Sequence, residues 1–117
     1  ILLAGDAAHI NNPLGGMGLN GGVHDAVNLA EKLGRVMLQG EDAALLDRYD
    51  RQRRGVTVEH VQSQTIANKQ NLEAKTPEDQ AAFRSRMAAA AADPVAAHAL
   101  LKRMSMIGSL ERASEIA

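Results

Sequence analysis

The sequence contains no cysteine, which removes disulfides, thiolate chemistry and cysteine metal sites together. That absence accords with a reducing compartment, and the cytoplasm is the expected location. Aromatic residues are nearly missing too, with one Tyr, one Phe and no Trp. A core therefore has to be assembled from Leu, Val, Met and Ala, which bury less area per residue. The net charge is −1, and no block of Lys or Arg supplies a basic field, so nucleic acid is not an expected partner. No apolar run approaches the roughly 18 residues needed to cross a bilayer, and no charged leader precedes the short apolar start, so neither a membrane span nor secretion is expected. What is present is 117 residues, 45% of them hydrophobic, enough for one domain of modest core.

The opening Ile1-Leu2-Leu3-Ala4 is an apolar run halted by Gly5-Asp6, the pattern of a short strand buried in a sheet. Nothing downstream offers strand partners. A loop rich in Gly, Asn and Pro (5–22) precedes an amphipathic helix of about five turns. Val23, Ala26, Val27, Ala30, Leu33 and Met37 fall on its apolar side, and His24, Asn28, Lys32 and Arg35 on the other; Gly40 is the expected C-terminal glycine. A second helical stretch runs from about Asp42 to Leu72, with Gly55 as the place for a bend or break. Thr76-Pro77 and Asp93-Pro94 each set a capping side chain before a proline suited to the first helical position, predicting two more helices. Gly108-Ser109 is expected to divide the second of these from a last short helix over 110–116. The chain is thus expected to be mostly α, with one short N-terminal strand and about five helices.

Chemistry concentrates in Gly5-Asp6-Ala7-Ala8-His9, Pro13-Leu14-Gly15-Gly16-Met17-Gly18-Leu19-Asn20-Gly21-Gly22, and then Asp25-Ala26 and Asn28-Leu29-Ala30. A carboxylate, a glycine loop and a helix start follow one another. Glycines allow positive φ and close approach of backbone to a flat ligand, and the first amides of a helix point outward unpaired. Together they favour bound negative charge. Glycine spacing alone is more often met by a plain turn, with Asn20 as a cap.

The full run resembles the second flavin-binding motif of FAD-dependent aromatic hydroxylases of the para-hydroxybenzoate hydroxylase and ubiquinone-biosynthesis hydroxylase type, closely over about residues 2–38. The resemblance implies a parent of α/β fold, with a Rossmann-like FAD/NAD(P)-binding domain and an additional substrate sheet. Residues 1–40 would be the C-terminal part of the FAD-binding domain, and 41–117 a helical tail. It implies that Asp6, at the turn opened by Gly5, accepts a hydrogen bond from a ribitol hydroxyl. Pro13 would lie beside the isoalloxazine, Gly18, Leu19 and Asn20 would bring backbone groups to the ring's pyrimidine edge, and Gly16 would be a further cofactor-binding position. His9 is placed near the flavin or, equally, on a nearby carbonyl. Asp25 either answers the helix dipole or holds the loop. His24, in a solvent-facing position, and His60 and His98 read as structural. Asn11 and Asn12 depart from the apolar or proline residues common in this family.

The implied reaction is hydroxylation of an aromatic or phenolic substrate with NAD(P)H and O2 through a flavin C4a-hydroperoxide. A reductase or dehydrogenase sharing the ribitol loop, or a helical interaction module without ligand, are the alternatives. The family's Gly-x-Gly-x-x-Gly turn and its substrate sheet are not in these residues. The chain reads as a fragment, expected to be inactive alone and to cover its apolar faces by self-association or by the remainder of the enzyme.

Overall fold

The computed structural model describes residues 1–73 and 76–117. Among the described residues there is no β-strand, so the strand expected at residues 1–4 is not formed. Ala4 keeps the extended backbone (φ −144°, ψ 153°), but a strand also needs ladder hydrogen bonds to a neighbour, and none lies beside it. The segment is held instead by the Tyr49 hydroxyl, which donates to the Leu3 carbonyl at 2.6 Å. A single 3-10 turn, Gly5–Ala7, follows.

Helix α1 spans Met17–Gln39, starting at Met17 rather than near Val23. Gly16, in the left-handed region (φ 65°), is its N-cap, and Gly40 (φ 71°) closes it as expected. Gly21 and Gly22 therefore lie within a helix, where each costs about 1 kcal/mol relative to Ala. Packing explains them: a Cβ on Gly22 would stand 3.3 Å from the Gly5 Cα, and one on Gly21 3.7 Å from the His9 ring. The 3-10 turn lies flat on α1 because those two side chains are absent.

The helix faces are the reverse of expectation. Val23, Val27 and Met37 are exposed, while Asp25 and Lys32 are buried. The polar side of α1 packs on the rest of this chain, and the apolar side is left outside.

Helix α2 (Ala44–Val56), a π-helical turn (Thr57–Gln62) and α3 (Ser63–Leu72) form one helical run with right-handed backbone at both junctions. The irregularity expected at Gly55 is thus a widened turn rather than a break. Carbonyls loosened there are taken up by hydroxyls: Ser63 Oγ donates to the Glu59 and His60 carbonyls and Thr65 Oγ1 to that of Val61. Gly55 itself admits the C-terminal Ile116, whose Cδ1 would sit 3.2 Å from an added Cβ.

Helices α4 (Pro77–Ala92) and α5 (Pro94–Met104) start where the caps indicate. Thr76 Oγ1 accepts from the Asp79 amide, and the Asp93 side chain from that of Val95. Helix α6 is Ile107–Glu115, so the break falls at Ser105 and Met106, not at Gly108-Ser109. Met106 takes the left-handed conformation there (φ 62°) because its side chain is buried with Met17 and Val61. Tyr49, Val56 and Ala113 complete the buried apolar set among the described residues. No leucine is in it. Helices α4 and α5 bury no residue, and the chain is elongated. Its radius of gyration is 17.3 Å, against about 13 Å for a compact domain of this length.

Candidate flavin site

The first turn of α1 carries Gly18, Leu19 and Asn20. No side chain caps it, and it contains no acidic residue. Its first backbone N–H groups are therefore free, and the positive end of the helix dipole is not offset locally. Leu19 and Asn20 are exposed. Asn20 is not an N-cap, since it lies inside the helix and its amide donates weakly to the Gly16 carbonyl at 3.5 Å.

Pro13 is exposed in the loop before α1, in a turn closed by the Gly16 amide on the Pro13 carbonyl at 3.1 Å. The loop glycines divide into two kinds. A Cβ on Gly15 would come within 2.5 Å of Asn68 Nδ2, whose amide donates to the Leu14 carbonyl, so Gly15 serves contact with α3. Around Gly16 nothing lies within 4 Å, and beside Gly18 only the Asn11 Cβ, at 4.0 Å. The open glycines are those the flavin motif assigns to the ring.

Asp6 sits in the 3-10 turn with its carboxylate exposed and no hydrogen bond to any described residue. Because the turn docks at Gly22, it stands about 7–8 Å along the axis from the start of α1.

What holds this turn is Asp25, two turns into α1 and only 1% exposed. Its Oδ2 accepts from the Gly5 amide at 2.9 Å and from His9 Nε2 at 2.7 Å, and its Oδ1 accepts from Arg53 Nε at 2.6 Å. The Asn11 amide reaches His9 Nδ1 at 3.1 Å, which assigns the ring proton to Nε2. Burial pushes the Asp25 carboxyl up, but Arg53, the Gly5 N–H and His9 together outweigh it and hold it below its ordinary value. Asp25 is too far into the helix to be answering its dipole. Of the two roles open to it, holding the loop is the one the geometry supports, and His9 bonds that carboxylate rather than a carbonyl.

Arg53 is the residue that sequence reasoning missed. It is 4% exposed. Its only signal is position: Gln52 and Arg53 fall between Tyr49 and Val56 at helical spacing, on the same buried stripe. His24 is also not solvent-facing. With Lys32, Arg48 and Arg53 it lines a cavity of about 420 Å3 between α1, α2 and α6, and its Nδ1 is enclosed without a hydrogen-bond partner among the described residues. Burial, then the Arg53 charge, lowers its pKa despite nearby Asp25. His60 is half-buried and His98 exposed. Among the described residues no group of His, Asp or Glu could hold a metal, and no helix is long and apolar enough to cross a membrane.

An exposed carboxylate on the 3-10 turn, an open glycine loop and an uncapped start of α1 thus lie within the chain's first 40 residues. The chain belongs to the FAD binding domain family, whose model matches residues 1–64. It is 48% identical over 68 residues to para-nitrophenol 4-monooxygenase of Pseudomonas sp. (strain WBC-3), covering 58% of this chain and 17% of that protein. It is 47% identical over 83 residues to 4-methyl-5-nitrocatechol 5-monooxygenase of Burkholderia sp, covering 67% and 15%. To 6-hydroxy-3-succinoylpyridine 3-monooxygenase HspB of Pseudomonas putida (strain DSM 28022 / S16) the identity is 39% over 77 residues, covering 66% and 20%. The chain thus spans no more than about a fifth of the length of these curated relatives. No solved structure matches it.

Proposed function

We propose that these residues form the flavin-ring part of the FAD site in an NAD(P)H-dependent monooxygenase that hydroxylates an aromatic or phenolic compound. Bound FAD would supply the redox chemistry that activates oxygen. The chain's own residues bind and orient. Asp6 accepts from a ribitol hydroxyl, a charge-assisted contact of about 1.5–3 kcal/mol. The amides at Gly18 and Leu19, with Asn20 beside them in the same turn, offer donors and positive dipole to the electron-rich edge of the ring. Pro13, Gly16 and the flat loop around them leave room for the ring to lie against backbone, and Gly5 sets the turn that presents Asp6.

The observation that carries this reading is the exposed carboxylate of Asp6, without a partner among the described residues, on a turn docked about 7–8 Å along α1 from its uncapped start. The relatives' names, all monooxygenases, favour oxygen insertion over a reductase, and their aromatic substrates suggest the class of compound. Residues 1–40 belong to the FAD-binding domain and 41–117 to its helical tail in this reading. The exposed apolar side of α1 is then covered by the remainder of the enzyme or by a second copy. The test is the complete polypeptide: it should purify with FAD and consume oxygen with NAD(P)H and a phenol, giving a hydroxylated product. A colourless protein that refuses added FAD refutes the proposal, as does FAD loading unchanged by Asp6→Ala.

A further inference from the structure

The turn that carries Asp6 is held by Asp25, which is itself fastened to Arg53 on α2. We infer that Asp25 and Arg53 are positioning residues for the flavin, acting through Asp6; the inference rests on the reading of the preceding subsection. Gly5 and Asp6 are consecutive, and the Gly5 amide is tied to Asp25 Oδ2. Gly5 adopts φ 61°, and its Cα packs on α1 at Gly22, so the peptide preceding Asp6 has contacts on both sides. His9 ties the far end of the turn to the same oxygen, while Arg53 holds the other oxygen from α2.

One carboxylate thus fixes both ends of a five-residue loop, residues 5–9, and couples it to a separate helix. The Asp6 side chain, with no protein partner among the described residues, takes its direction entirely from that backbone. Asp25 and Arg53 are 1% and 4% exposed, and the exposed face of the turn carries Asp6 instead. Both border a hollow of about 800 Å3 on the side of the turn shared with Leu3, His9 and Tyr49.

The experiment is a double-mutant cycle on FAD affinity and on the visible circular dichroism of bound FAD, in the complete polypeptide, with folding checked by far-ultraviolet circular dichroism. Asp6→Ala should raise the FAD Kd about ten- to a hundredfold, the equivalent of one charge-assisted hydrogen bond, and Asp25→Asn roughly tenfold. The double variant should lose no more than Asp6→Ala alone, because Asp25 acts only through Asp6. Arg53→Lys, which keeps the charge but not the planar fork, should shift Kd and the dichroism in the same direction by less. Ala113→Gly, in α6 and away from the turn, lowers stability through helix propensity and should leave both readouts unchanged.

Multiplicative losses in the double variant overturn the inference, and so does an Asp25→Asn Kd within about twofold of the unsubstituted protein. If Asp25→Asn does not fold, Arg53→Lys against Ala113→Gly decides on the same two readouts. No effect of Asp6→Ala, or no FAD uptake by the unsubstituted protein, would instead sink the flavin reading itself, and the inference with it.

Discussion

Breaking the Asp25–Arg53 pair should cost this chain a large part of its stability. The carboxylate and the guanidinium are both nearly inaccessible, and they meet at 2.6 Å, so solvent screening offers little relief. Asp25→Ala strands the Arg53 charge, whose Nη2 already lacks a partner among the described residues. It also leaves the Gly5 amide and His9 Nε2 without an acceptor. Removing one partner of such a buried pair costs about 3–5 kcal/mol.

Folded domains hold only about 5–15 kcal/mol in all, and the six buried apolar residues among those described place this one toward the lower end. Either Asp25→Ala or Arg53→Met alone should therefore shift urea unfolding to much lower denaturant or abolish a cooperative transition. The double variant removes both charges and should be less damaged than the sum of the singles by about 2 kcal/mol or more. Urea unfolding of the 117-residue chain at pH 7, followed by far-ultraviolet circular dichroism and extrapolated linearly, measures all four corners. Additivity within about 0.5 kcal/mol would mean that the two charges do not sense each other, and the account of how α1 is fastened to α2 would be wrong.

Two glycines of α1 should respond oppositely to the same change. Gly34→Ala meets nothing within 4 Å and should stabilise by about 0.5–1 kcal/mol; Gly22→Ala pushes on the Gly5 backbone, which Asp25 prevents from yielding, and should destabilise despite its better propensity, both read by thermal unfolding. Acid should also act through Asp25. Its folded pKa lies below the ordinary value of 3.8, so its contribution is complete above about pH 4 and is lost as pH falls through that lowered value. Asp25→Asn should flatten the stability profile there, and an unchanged slope would contradict the assignment. His24 adds an effect of the same sign at higher pH: its folded pKa is lowered from 6.5, so the unfolded chain takes up the proton first and stability declines as pH drops below 6.5, a slope that His24→Gln should remove. At the far end, Thr76→Ala should cost α4 about 1 kcal/mol, visible as faster amide exchange in its first turn and nowhere near the flavin loop.

The features legible in the sequence were those set by a few adjacent residues. Thr76-Pro77 and Asp93-Pro94 mark helix starts through bonds made within three residues, and Gly40 ends α1 through its own positive φ. The motif around Asp6 was legible for a similar reason, because a turn, a loop and a helix start in order are local. The strand at residues 1–4 failed because half of a strand's definition lies in a neighbour. The start of α1 was misplaced because Gly21 and Gly22 look like loop residues by propensity; only the turn docked across them explains why a helix keeps them.

The reversal of α1 carries the more general point. Apolar periodicity reports which side of a helix avoids water, and the inference that this side faces the chain's own core assumes that the core is what covers it. Here the covered side is Asp25, Lys32 and their polar neighbours. It is stabilised not by area but by pairing: Asp25 to Arg53, Lys32 Nζ to Asn28 Oδ1 at 2.8 Å, and Asn28 in turn accepting nothing further but donating to Gln52 at 3.2 Å. The pairing is incomplete, since Arg53 Nη2 and His24 Nδ1 have no partner among the described residues, and each such group costs stability. The directional bonds that are made, Asp25 to Arg53 and Asn28 to Gln52, set one register of α1 against α2. The polar face of α1 is thus turned inward where the 3-10 turn docks, and the orientation of that turn rests on pairing to Asp25 rather than on buried apolar area.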